Sequence, residues 1–276
     1  MRKPIVAGQF YPADKSVLES DIKKYIKRNP DNAIKAVIVP HAGYFFSGKC
    51  AGKAYSLIPE AETYILLGVN HSGHGENIAI SLENFETPLG EVKNNIQMSK
   101  EILKQLNLKE DNEAHKYEHS IEVQLPFLQI INKSVKKEFS KKNFSIVPII
   151  LKNYNLETCK NLAKIIFQAA EKLKQEIVVI ASSDFTHSGP NYGFIPAENP
   201  KKIDKKAIDS ILKLDSKGFF DIAEKTTICG AGAICTVIEI SKLLGAKKAQ
   251  LLEYYTSADV MPSENKVGYT SIAFLA

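Results

Sequence analysis

A chain of 276 residues, 44% hydrophobic and carrying a formal net charge of +5, is long enough to bury a substantial core. No apolar run reaches the length of a membrane span, and the start, MRKPIVAGQFYPADK, lacks a signal-peptide core, so the sequence reads as soluble and cytoplasmic with no membrane partner. The positive charge is nearly all lysine, dispersed among glutamates without an aromatic-interleaved basic patch, which argues against a nucleic-acid partner.

Taken in chain order, the pattern alternates between helical and strand periods. SVLESDIKKYIKR (16–28) reads as a helix, AIKAVIVP (33–40) and TYILLGV (63–69) as buried strands, and NIQMSKEILKQL (95–106) as a helix. DNEAHKYEHSIEVQLPFL (111–128) reads as a loop entering an amphipathic helix, with Ser120 as a candidate N-cap beside His119 and Glu122. FSIVPIIL (144–151) is a strand, LETCKNLAKIIFQAAEKLKQ (156–175) a helix, and EIVVIAS (176–182) a strand. A Gly-rich turn, TTICGAGAICTVIE (226–239), feeds a helix over 231–245, and AQLLEYYT (249–256) and GYTSIAFL (268–275) close the chain as strands. Continuous apolar strands alternating with amphipathic helices predict an α/β layered sandwich with a largely parallel or mixed central sheet, in a single domain over 1–276.

Three of the strands end on chemistry. His41 follows the first, Asn70 and His71 follow the second, and Ser183, Asp184 and His187 follow the strand at 176–182. Ligands of open α/β sheets sit beyond the carboxyl ends of the strands, so these tips predict one shared site. His74 and His115 lie in polar stretches and read as surface residues. Cys229, just before a helix start, is placed where a helix N-terminus favours thiolate. Cys50, Cys159 and Cys235 read as small core residues, and four cysteines without a CxxC spacing predict a reducing compartment. Only Arg2 and Arg28 are arginines; neither is near these motifs in sequence, which argues against an arginine clamp on a substrate anion.

RKPIVAGQFYP, PHAGY, GVNHSGHG, EHSIEVQLPFL, SSDFTH, TICGAGAI and the closing GYTSIAF together resemble the Memo family (mediator of ErbB2-driven cell motility), which includes protein B of the AmmeMemoRadiSam system. The resemblance implies a fold similar to class III extradiol dioxygenases of the protocatechuate 4,5-dioxygenase β-subunit type. It implies a metal set of His41, His71 and Cys229, with Asp184 and His187 lining the same pocket and His119 near it. A soft thiolate ligand shifts preference toward Fe(II) or Cu(I), with Zn(II) also compatible. Two roles stay open for Asp184: orienting His187 as a general base, or ligating the metal itself. The expected function is redox- or oxygen-linked chemistry on an unidentified small molecule. An active extradiol-type non-haem iron dioxygenase is one alternative, and a non-catalytic metal- or peptide-binding module is the other. The resemblance also implies a functional link to radical-SAM and AMMECR-type proteins.

Overall fold

The apolar runs of the sequence become the middle of one twisted sheet. The computed structural model describes residues 1–133 and 144–276. Its strands are β1 (Ile34–Val39), β2 (Thr63–Val69), β3 (Ile78–Ile80), β4 (Phe85–Thr87), β5 (Gly90–Asn94), β6 (Ser145–Leu151), β7 (Ile177–Ser182), β8 (His187–Ser188), β9 (Lys248–Thr256) and β10 (Lys266–Leu275). The helices are α1 (Lys15–Tyr25), α2 (Tyr44–Leu57), α3 (Ile96–Leu106), α4 (Asn112–His115), α5 (Leu125–Lys133), α6 (Leu156–Leu173), α7 (Pro200–Leu212), α8 (Ser216–Ala223), α9 (Ala231–Leu243) and α10 (Ser257–Val260).

The sheet runs β4-β5-β6-β2-β7-β1-β10-β8, with β3 on β6 and β9 on β10. From β5 to β1 every pairing is parallel, while β3, β4, β8, β9 and β10 pair antiparallel. The sheet is therefore mixed around a parallel centre. Both faces are covered, which is why the central strands read as unbroken apolar runs. Ala36, Ile38, Ile65, Leu67 and Val179 point into the core shared with α3, α6 and α9. Val37, Val39, Leu66 and Ile180 alternate with them into the core under α1, α2 and α5.

Side-chain caps set the helix starts the pattern marks. Asp14 accepts from Val17 N–H at α1, Asn95 from Met98 N–H at α3 and Asn155 from Thr158 N–H at α6. Helix α2 has little amphipathic signature, because most of its circumference is packed and only a stripe of Phe45, Lys49 and Lys53 is exposed. Its glycines admit a neighbour: a Cβ on Gly52 would lie 2.6 Å from the Tyr25 carbonyl oxygen, and one on Gly48 2.6 Å from the Tyr25 ring. Strand β9, expected as a buried strand, is the outermost partner of β10 and is largely exposed or half-buried, because only one edge and part of one face are covered.

Candidate metal centre

Parallel β2, β7 and β1 are neighbours, so their carboxyl ends open on one side of the sheet. His41 leaves β1 through Pro40, His71 leaves β2 through Asn70, and Asp184 leaves β7 through Ser183. Cys229 reaches the same place from the turn ahead of α9. The turn approaches β7 so closely that a Cβ on Gly230 would lie 2.5 Å from Ser183 Cβ. One nitrogen each of His41 and His71 and the sulfur of Cys229 lie within 4.8 Å of one another.

Buried partners orient these donors. The Ser182 hydroxyl donates to the Ser120 carbonyl at 2.7 Å, so it can only accept from other groups. It accepts from Gln124 Nε2 at 2.8 Å, and Gln124 is itself fixed by donation to the Pro40 carbonyl and by the Tyr55 hydroxyl. His41 Nδ1, 3.1 Å from that hydroxyl, is therefore the protonated ring nitrogen, and Nε2 presents its lone pair 3.3 Å from Cys229 Sγ. Burial, reinforced by the His119 and His71 rings, holds the His41 pKa well below the ordinary range, so the ring is neutral. His71 Nδ1 lies 3.0 Å from the buried Glu118 carboxylate, which also accepts from the His71 and Ser120 backbone N–H groups. Burial opposes the Glu118 charge, but the His71 hydrogen bond, the His71 and His119 rings and the Ser120 N–H outweigh it and bring the carboxyl down to about 2. Burial likewise works against the His71 cation, and Glu118 outweighs it to raise that pKa.

The donor set fits a transition ion. Bonds of about 2.3 Å to sulfur and about 2.1 Å to nitrogen separate two donors by about 3.1–3.6 Å for angles from about 90° to 110°, a range that includes the His41–Cys229 distance. His41 turns its Nε2 toward Cys229 while its Nδ1–H meets a hydroxyl, and His71 Nδ1 meets a carboxylate, the kind of partner that steadies metal-bound imidazoles. Burial and the nearby Asp184 charge push the Cys229 thiol up, overriding the expected effect of a helix N-terminus. A bound cation would displace that thiol proton.

The remaining expected residues surround this set. A cleft of about 460 Å³ is lined by His41, His71, His119, Asp184 and His187 together with aromatic residues such as Phe10 and Tyr192. No lysine or arginine is among the described residues of its lining. His119 stacks on His71, ring centres 4.8 Å apart, and its pKa is lowered chiefly by burial. Asp184 accepts from His41 N–H at 2.8 Å and interacts with His187 through charge. His187 Nδ1 donates to the Thr227 carbonyl at 3.1 Å, a group available because Thr227 also clamps the His187 backbone.

Two further readings of the sequence are corrected, and Arg2 takes an unexpected place. His115 is buried rather than on the surface, its Nε2 donating to the Ala79 carbonyl. Ser120 is not an N-cap; its hydroxyl is occupied by the Val69 backbone, and a 3-10 turn at Glu122–Gln124 leads into α5. Arg2, distant in sequence, is buried directly behind the site loop, paired with Glu122 and donating to the Glu118 and His115 carbonyls. It is spent on structure, since no arginine lines the cleft. Sequence reasoning assigned no role to Glu118, Ser182, Gln124 or Thr227. Glu118 stands beside His119 in EHS, which was a usable signal.

Fold and site together define an α/β protein in which two parallel strand ends and the turn ahead of α9 bring together a His/His/Cys group that could hold a metal ion. The family profile described as Memo-like protein matches residues 2–273. The chain is 38% identical over 276 residues to a MEMO1 family protein of Archaeoglobus fulgidus, covering 99% of each chain. It is 41% identical over 294 aligned positions to a MEMO1 family protein of Thermococcus onnurineus, again covering 99% of each. The chain belongs to the Memo-like family. Among solved structures, its fold is similar to that of uncharacterized protein JW3007 from Escherichia coli K12, with a TM-score of 0.51 and 10% identity over 87% of this chain and 99% of that one.

Proposed function

We propose that the protein carries a transition ion on His41, His71 and Cys229 and uses it in redox- or oxygen-linked chemistry on a small molecule held in the adjoining cleft. The observation that carries this reading is the convergence, within 4.8 Å, of three donor atoms from three separate chain segments. The mixed nitrogen and thiol donors favour Fe(II) or Cu(I) and are compatible with Zn(II). Such an ion supplies a Lewis acid and, for iron or copper, a one-electron couple. The protein's own part is to orient the substrate and move protons. His187, with Nδ1–H committed to Thr227, keeps Nε2 as a base at the cleft wall. The aromatic lining favours a largely apolar substrate ring.

The test is metal analysis after anaerobic purification and reconstitution. About one equivalent of Fe(II) or Cu(I) is expected per chain, and His41→Ala combined with His71→Ala should abolish it while leaving the circular dichroism spectrum unchanged. Undiminished binding by the double variant would place the ion elsewhere. An extradiol dioxygenase is the second reading, favoured by His119, His187 and Asp184 sharing the cleft with the proposed ligands. Rapid oxygen uptake with simple catechols, lost in His187→Ala, would promote it to first. Our reading expects no ring cleavage, because a thiol stands where such enzymes use a carboxylate.

A further inference from the structure

A larger depression, about 740 Å³, lies away from the metal cleft and shares no lining residue with it. It is bounded by the end of α1, the second half of α2 and residues 250–252 of β9. Four lysines line it, Lys24 and Lys27 on one side and Lys49 and Lys53 on the other, and no acidic side chain does. Lys24 pairs with Asp21 at 2.6 Å, and Lys49 approaches Glu253 only to 3.8 Å. Among the described residues Lys27 and Lys53 have no ion-pair partner. Lys49 and Lys53 stand one helical turn apart, where like charges repel, so the groove holds positive charge that the fold leaves unneutralised.

Residues 250–252 of β9, an edge strand of the sheet, form one wall of this groove, where the β9–β10 register shifts. Among the described residues β9 pairs with β10 alone, and its other side carries no strand. Leu251, 38% exposed, adds an apolar contact at the middle of that edge. An unpaired edge offers a row of backbone donors and acceptors to any extended chain. Lysines guard such an edge against neutral strands, and the same charges select an acidic one. A compact polyanion is a poorer match. The lysines are exposed rather than preorganised, and no arginine lines the groove for bidentate contact.

We propose that the groove between α2 and β9 docks an acidic, extended segment of a partner protein, which adds to β9 as a further strand and sets its carboxylates against Lys24, Lys27, Lys49 and Lys53. Alternate side chains of an added strand share one face, so a segment with an acidic residue at every second position meets the lysines with one row.

The test uses the full chain and a fluorescent peptide of alternating glutamate and threonine, followed by anisotropy and by amide hydrogen exchange. Binding that weakens with added salt is expected, with new protection confined to β9. Lys49→Glu combined with Lys53→Glu, both exposed, should weaken it at least about tenfold while the melting temperature stays unchanged. The same peptide N-methylated along one backbone edge should lose affinity comparably, since it cannot complete the ladder. No binding at about 1 mM peptide would overturn the proposal. So would equal binding by the charge-reversed protein or by the N-methylated peptide. Tight binding of pyrophosphate without protection of β9 would replace it with a small-anion site.

Discussion

Glu118 and His187 both stand beside the proposed ion, but their environments assign them different work. Glu118 is buried behind His71 and meets the cleft through the His71 ring at 3.0 Å and the His119 ring at 3.7 Å. The His71 and Ser120 N–H groups each take a different Glu118 oxygen, so Glu118→Gln removes the charge that steadies His71 and keeps an acceptor for only one of the two. Metal affinity should fall by about 10–100-fold, measured by competition with a chelator, while the ligand count stays the same. An unchanged affinity would reduce Glu118 to a loop anchor. His187→Ala should retain the metal and lower turnover by about 10²–10⁴, followed by oxygen uptake once a substrate is in hand. Loss of the metal in that variant would instead make His187 a ligand. The strand-tip histidines and Asp184 were legible in the sequence because chemistry-bearing residues rarely end three apolar runs by accident. Their partners were not. The bonds from His71 to Glu118 and from Ser182 to Ser120 span 47 and 62 residues, and no local pattern announces a hydrogen bond across such a gap.

At the level of elements, the segment from α4 to α5 is the least regular part of the site and the most heavily tied. Arg2 and Glu122 hold it from behind, and the Glu122 carboxylate also accepts from the Ile5 and Val6 N–H groups and the Tyr11 hydroxyl. The polar sequence of this segment looked like surface because its polar groups satisfy one another in the interior. His115 is the exception, with Nδ1 buried and without a hydrogen-bond partner among the described residues. Burial brings its pKa from 6.5 down to about 4. The unfolded chain therefore takes up a proton that the folded ring refuses. Stability from this group is complete above about pH 6.5 and is lost as pH falls toward about 4, by up to about 3 kcal/mol. Urea unfolding between about pH 7 and pH 4.5 should show that slope in the parent and a flatter one in His115→Gln. Equal slopes would show that His115 does not carry it. Helix α2 escaped notice for the opposite reason: packed on most of its circumference, it exposes only a narrow stripe of Phe45, Lys49 and Lys53, too slight and too mixed for periodicity to find.

At the scale of the whole molecule, the α/β class and the long central elements were legible because β1, β2, β6 and β7 are buried on both faces. The short β3, β4 and β8 were not, being two or three residues each and set by neighbours rather than by their own composition. Because the proposed ligands come from both ends of the chain, an ion that binds only the folded state should stabilise all of it. At free metal about 100-fold above Kd the gain is about 2.7 kcal/mol, a rise in Tm of roughly 5–10 °C, absent from the His41→Ala, His71→Ala double variant. Strand order adds a consequence in time. β1 and β2 do not touch; β7, made more than a hundred residues later, separates and aligns them. While the chain is still emerging from the ribosome, His41 and His71 thus lack the strand that sets their spacing, and Cys229 follows later still. The proposed site is therefore complete only once Cys229, inside the last third of the chain, has been made, and an unfinished chain has no formed site with which to trap an ion.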